Sequence, residues 1–140
     1  MKRIVLSVVL ITALALAWSC AASDPQARKL ARGKYLVENV GMCADCHSPR
    51  NDKGEFDQKR WLQGGQLAFA PVVPIPGWAG TAPWIAGLPN ISEAEAVKLL
   101  ETGTTSTGMA KRPPMPPFKF AHEDAEAVVM YLKSLGSKQS

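Results

Sequence analysis

Apolar residues are grouped along this chain in four blocks. The first is continuous. Ile4 to Leu16 carries no charge, follows Lys2 and Arg3, and is trailed by the small residues Ser19, Ala21 and Ala22. That is the layout of an export leader, and its apolar core is short for a membrane span. Residues 1–22 are therefore expected to be removed and residues 23–140 to form one domain. The other three blocks have the 3.6-residue spacing of amphipathic helices. Residues 26–39 place Leu30, Gly33, Leu36 or Val37, and then Val40 near one face, with Gly41 as a C-terminal cap. Residues 92–102 open on the capping-box pair Ser92 and Glu95, carry Val97, Leu99 and Leu100, and stop at Gly103. Residues 122–135 repeat Ala125, Val128, Val129, Leu132 and Leu135. Glu123 and Asp124 suit the start of that helix dipole and Lys133 its end.

Residues 48–90 break the pattern. They are rich in Gly, Pro and Trp, and no run among them shows strand alternation. So long a connection is unusual in a compact domain unless it wraps a large rigid group. With 140 residues, 11 prolines and 11 glycines, the chain is small and loop-rich. It needs something at its centre to pack against. Charge adds little. The 16 basic residues, less Lys2 and Arg3, barely exceed the 12 acidic ones, so the basic balance says little about partners. There is no clustered basic stripe with interleaved aromatics, which argues against nucleic-acid binding.

Cys20 has two readings. It is discarded with the leader, or it is the acylated first residue of a lipoprotein whose signal ends before it. Leu16 stands one place too far upstream for the usual lipobox, and Trp18 is bulky inside it. A single acyl chain would tether the protein to a membrane without embedding it.

The chemistry lies in Cys43-Ala44-Asp45-Cys46-His47, the C-x-x-C-H haem-attachment signature, which occurs once. One turn of backbone sets both thiols along one edge of a macrocycle, where they can add to its two vinyl groups, and the adjacent His ligates iron. A thioredoxin-like pair expects a βαβ setting and does not need the His. A zinc site needs a fourth ligand, for which only His122 and Cys20 remain. A disulfide across two intervening residues would constrain very little chain.

These residues carry a resemblance to the class I cytochromes c. It runs through Ala31-Arg32-Gly33-Lys34-Tyr35-Leu36-Val37, through C-A-D-C-H-S-P at 43–49, through Pro113 to Phe118, and through Met130-Tyr131-Leu132-Lys133-Ser134-Leu135. It implies an all-α fold of three or more helices, with long loops around one covalent haem c. The first and last helices would cross at Gly33 and Tyr131, since Gly permits close approach of two backbones. The stretch from Gly54-Glu55-Phe56-Asp57 to Trp61-Leu62-Gln63-Gly64-Gly65 further resembles cytochrome subunits that accept electrons from membrane-bound alcohol and sugar-acid dehydrogenases. Those subunits usually carry several haem motifs, so the partner stays open.

The iron's other axial position has few candidates. Met42, beside the cysteines, and Met130, inside the last helix, read as packing residues. Met115 sits in Pro113-Pro114-Met115-Pro116-Pro117, whose prolines make a stiff, extended mount for a thioether. It also lies sixteen residues before Tyr131, close to the spacing of the resembled family. Met109, in the more flexible 104–108 neighbourhood, and His122 are the alternatives. The site is thus expected to comprise Cys43 and Cys46 as covalent attachments, His47 as proximal ligand and Met115 as distal ligand. Trp61, Trp78 and Trp84 are candidates for haem or propionate contact, or are core fillers. Arg50, Arg60 and Arg112 are candidates to neutralise propionates, or are surface residues. His47 should donate its second ring hydrogen to an acceptor that sequence does not identify.

A His/Met pair saturates iron and favours its ferrous state. The expected function is one-electron transfer, as a shuttle or as a cytochrome subunit of an exported respiratory chain. Redox protein partners such as a membrane-bound dehydrogenase or oxidase follow, with a periplasmic or outer-face location. The alternative is a haem enzyme or gas-sensing module with an open or displaceable sixth position.

Overall fold

The computed structural model describes residues 24–136, so the leader and Cys20 lie outside the described residues. Helix α1 spans Pro25–Tyr35 and passes into a π-helical turn, Leu36–Val40. A single helical turn, α2, follows at Ala44–His47, and a short 3-10 turn at Gln58–Arg60. Strands β1 (Gly65–Gln66) and β2 (Thr81–Ala82) form a minimal antiparallel ribbon, with Gly65 opposite Ala82 and Gln66 opposite Thr81. Helices α3 (Glu93–Thr102) and α4 (His122–Gly136) complete the fold. Helices thus carry the architecture, as expected. The ribbon was not foreseen, because alternation cannot be seen in strands two residues long.

Each helix has a local cause. Asp24 accepts the Gln26 amide at 2.9 Å, and Pro25 opens α1 without an amide to satisfy. Instead of one helix to residue 39, the chain relaxes into the π turn, where the Gly41 amide reaches Leu36 O at 2.7 Å. The wider turn lets two successive apolar side chains, Leu36 and Val37, both enter the core. Ser92 caps α3 by accepting the Glu95 amide, and Gly103 ends it in the left-handed region at φ 87°. Glu95 does not close the capping box. Its carboxylate turns to the loop beyond α3 and accepts the amide and hydroxyl of Ser106.

Helices α1 and α4 cross at Gly33. A Cβ there would stand 1.9 Å from Ala127 O and 3.0 Å from the Tyr131 Cβ, so only glycine allows this approach. The buried side chains of Leu36, Val37, Leu62, Leu88, Val128, Val129 and Leu132 spread from the crossing as the core. Around its rim, Lys29 pairs with Glu126 at 2.7 Å and Arg32 grips Asp124 through two bonds of 2.8 and 2.9 Å. These pairs are solvated, so screening by water leaves them little weight in stability. The crossing therefore depends on shape. Tyr131 is buried and donates its hydroxyl to Glu38 Oε1. Burial, then that bond, pushes its pKa well above the ordinary phenol range.

His122 lies at the start of α4, its side chain largely in solvent. Its Nδ1 donates to Glu101 Oε1 at 2.6 Å, and its Nε2 is 3.4 Å from Glu126 Oε1. The bond to Glu101 on α3 and then the charge of Glu126 raise its pKa.

Two outcomes follow. Gly33→Ala is expected to cost about 3 kcal/mol or more, because the backbones cannot separate without opening the core. Denaturant unfolding of the haem-loaded protein reads this, and an unchanged midpoint contradicts it. His122 has a raised folded pKa, so its stabilisation is full below the ordinary imidazole value and is lost as pH rises through the folded value. Tm should accordingly fall as pH rises above the ordinary imidazole value, and His122→Ala should flatten that fall.

Candidate functional site

The C-x-x-C-H segment leaves the π turn under tight control. The Cys43 amide donates to Val37 O at 3.0 Å, and Met42 takes a positive φ of 44° to make the corner. The single turn of α2 is then closed by His47 N to Cys43 O at 2.9 Å and Ser48 N to Ala44 O at 3.0 Å. Cys43 and Cys46 consequently share one face, and both thiols are free.

His47 is only 7% exposed, and its ring is held from beyond the ribbon. Its Nδ1 lies 2.8 Å from Pro83 O, a carbonyl that can only accept, so the neutral ring carries its proton on Nδ1 and keeps the Nε2 lone pair free. Burial, the larger influence, pulls the His47 pKa down against that bond. Gly64 makes the approach of Pro83 feasible. It has φ +77°, and a Cβ on it would sit 2.7 Å from Ala82 O and 2.8 Å from the Trp84 amide. Its own amide donates to His47 O at 2.7 Å. Beside it, buried Ser48 accepts the Leu62 amide at 2.9 Å, while Leu62 O receives the amides of Ile85 and Ala86, both at 3.0 Å. The imidazole is thus fixed by a network running from α2 through residues 62–64 to residues 83–86.

Around this turn lies a cavity of about 390 Å³, walled mainly by carbon. Cys43, Cys46 and His47 line it, with Leu36, Leu67, Ile85, Leu88, Leu99, Leu100, Val128 and Leu132. The 109–120 segment supplies further wall: Met109, Lys111, Arg112, Pro114, Met115, Pro116, Phe118 and Phe120. Phe118 and Phe120 stack on each other with centroids 5.2 Å apart. Burial raises the Cys43 pKa to about 11, and burial then Asp45 raise that of Cys46, so both thiols stay protonated. Neutral thiols in an apolar wall suit a large apolar group better than an ion. Among the described residues no group of three or more His, Cys, Asp or Glu could hold a metal ion. His122, weighed above as an alternative to Met115, lies outside the cavity lining and is held by Glu101 and Glu126.

The structure places the other expected residues unevenly. Met115 and Met109 both line the cavity, Met115 half-buried and Met109 69% exposed. Met109 sits on a turn closed by Thr105 N to Met109 O. Met42, read above as a packing residue, is instead exposed at the cavity rim. None of the three expected tryptophans lines the cavity. Trp61 packs edge-on against Phe56 at 5.6 Å, Trp78 against Phe69 at 5.9 Å, and Trp84 is exposed. Of the three expected arginines, Arg112 alone reaches it, and its guanidinium donates to Gly77 O and Trp78 O. Arg60 pairs with Asp57, and Arg50 with Asp45 and the Phe56 ring. Lys111 was missed. It lines the cavity, donates from Nζ to Leu99 O at 3.4 Å, and has its pKa lowered by burial. No spacing in the sequence marks it, because its position depends on the Gly103 turn.

Comparison with known proteins gives this cavity its context. The cytochrome c family profile matches residues 30–136, and the chain belongs to that family, whose domain binds haem c. It is 34% identical over 110 residues to a "Diheme cytochrome c-type" protein of Cereibacter sphaeroides, covering 73% of this chain and 34% of that one. It is 32% identical over 123 residues to the cytochrome c subunit of "Alcohol dehydrogenase (quinone)" of Gluconobacter oxydans, covering 81% and 24%. With the "Fructose dehydrogenase cytochrome subunit" of Gluconobacter japonicus it shares 28% over 114 residues, covering 76% and 22%. The chain therefore spans no more than 34% of the length of these relatives. The likeness to dehydrogenase cytochrome subunits drawn from residues 54–65 agrees with these matches.

The hydrogen-bond network makes one prediction. Ser48→Ala strands the Leu62 amide in the interior and should lower stability by about 1–3 kcal/mol. Denaturant titration of the haem-loaded variant measures it, and a loss near zero would mean that the amide finds another acceptor.

Proposed function

We infer that this chain is a one-electron carrier whose domain holds one haem c, attached through Cys43 and Cys46 and ligated by His47 and Met115. The observation that supports the reading is convergence. Two neutral thiols, a buried imidazole with a free Nε2 and a proline-mounted thioether all face one carbon-walled cavity, in a chain of the cytochrome c family.

Haem c supplies one reversible electron at its iron. Cys43 and Cys46 would hold the group covalently, each thiol adding S–H across one vinyl group, sulfur to one carbon and hydrogen to the other, with no net redox change. Pro83 O holds the Nδ1 proton of His47 and so keeps Nε2 aimed and unprotonated. Pro113, Pro114, Pro116 and Pro117 restrict the backbone on both sides of Met115, which limits the reach of its sulfur. The apolar wall excludes water and disfavours the more highly charged oxidation state. With His47 and Met115 both holding the iron, no coordination site would be left for a substrate, and the cavity lining contributes no carboxylate to an acid–base pair. The function is therefore transfer rather than catalysis.

The chain acts as a shuttle or as a cytochrome subunit. Its partners are redox proteins, among which a dehydrogenase fits the matched relatives best. The leader reading puts it in the periplasm or on the outer membrane face, freed by cleavage or tethered at Cys20.

The test is carbon monoxide binding to the reduced protein. The parent should show a low-spin spectrum that carbon monoxide leaves unchanged. Met115→Ala should open the iron and bind carbon monoxide, whereas Met109→Ala should not. Disruption by Met109→Ala alone would move the distal ligand to Met109. Carbon monoxide binding by the parent would replace the carrier with a sensor or haem enzyme.

A further inference from the structure

From Trp61 to Ser92 the chain has no Asp, Glu, Lys, Arg or His. Within that stretch, residues 67–80 leave the ribbon as an excursion whose feet are joined by Leu67 N to Gly80 O at 2.9 Å. The excursion carries large apolar side chains outward. Val72 is 103% exposed, Val73 66%, Phe69 49% and Ile75 41%. Nothing in the cavity chemistry uses them. Fully burying side chains of this kind is worth about 1.5–3 kcal/mol each, so an exposed group of four marks a contact surface.

The loop is built to keep its shape. Trp78 N closes the tip on Ile75 O at 3.2 Å, and Phe69 meets Trp78 edge to face at its base. Arg112 donates to Gly77 O and Trp78 O at 3.0 and 3.1 Å, and Ala79 N donates to Pro113 O at 2.7 Å. The base is thereby fastened to the segment that carries Met115.

Three features identify what covers the tip. It is uncharged, so it matches a surface of no net charge rather than an acidic or basic one. Pro71, Pro74 and Pro76 remove half of the backbone donors between residues 71 and 76, which lowers the cost of entering a medium without water. The tip is also small and projecting. It presents four large side chains, against the roughly 20–30 residues a side that a stable protein interface uses. Trp78, packed edge to face against Phe69 at the base of the tip, is of the amphipathic aromatic type that membrane interfaces favour.

We propose that residues 69–75 are a membrane-contact tip that enters the headgroup and upper acyl region of a zwitterionic bilayer. Leu67 and Ala79, at the feet of the loop, line the cavity, so insertion seats the cavity close to the membrane surface. The proposal does not depend on which methionine ligates iron.

The experiment is flotation of the exported, haem-loaded protein carrying Cys20→Ser, its N-terminus verified by mass, with phosphatidylcholine vesicles. The protein should float with the vesicles to the same extent from about 0.05 M to about 0.5 M salt, because no charge is involved. Val72→Asp combined with Val73→Asp should weaken partition at least about tenfold, and Val72→Trp should strengthen it. The redox spectrum and Tm of each variant, read on the same sample, show whether it is folded and haem-loaded, so a failed tip and a failed haem assignment are told apart. The proposal is overturned if the parent does not float, if the Asp variant floats equally well, or if flotation needs anionic lipid and vanishes in salt. It is also overturned if the Asp substitutions instead abolish a concentration-dependent dimer, which would assign the tip to a second copy of the chain.

Discussion

The structure depends on a carbon-walled space of about 390 Å³ at the centre of a small chain. Its walls present apolar surface that the chain alone leaves uncovered, and covering such surface is stabilising by about 25 cal/mol per Å². An apolar occupant would cover that surface, and the other features of the fold frame the space for one. The crossing at Gly33 fixes α1 against α4 and brings Leu36, Val128 and Leu132 to one wall. The π turn after α1 delivers Cys43 to the edge of that wall. The long uncharged stretch covers another side without needing a core of its own.

The same economy explains how His47 is controlled. Its acceptor is a proline carbonyl thirty-six residues away, held there because Gly64 lets residues 82–84 approach without a side chain between. Leu62 and Met42 both take positive φ, at roughly 1–3 kcal/mol each, and both lie in the segments that frame this histidine. Local strain is tolerated where it aims the one side chain whose orientation matters most.

Legibility from sequence followed the range of each interaction. The three long helices were readable because apolar spacing, Ser92, Gly103 and the terminal charges are local signals. The attachment turn was readable because its chemistry is contiguous. The π turn was not, since "Leu36 or Val37" turned out to be both, a choice made by core packing. Pro83 as the His47 acceptor, Lys111 on the cavity wall and the absence of the three expected tryptophans from it were also out of reach. The first and the last depend on how residues 48–90 fold back, a path set by glycine contacts and single hydrogen bonds rather than by periodicity, while Lys111 depends on the Gly103 turn. Met115 and Met109 could be ranked but not separated by spacing alone, and the cavity admits both while burying Met115 more deeply.

The account rests most heavily on the claim that the cavity's occupant is covalently bound through Cys43 and Cys46. Denaturing mass spectrometry of the exported protein, followed by proteolysis, tests it directly. One haem should survive unfolding and remain on the peptide that contains Cys43, Cys46 and His47. A chain that releases all haem on unfolding, or carries it on any other peptide, would contradict the account.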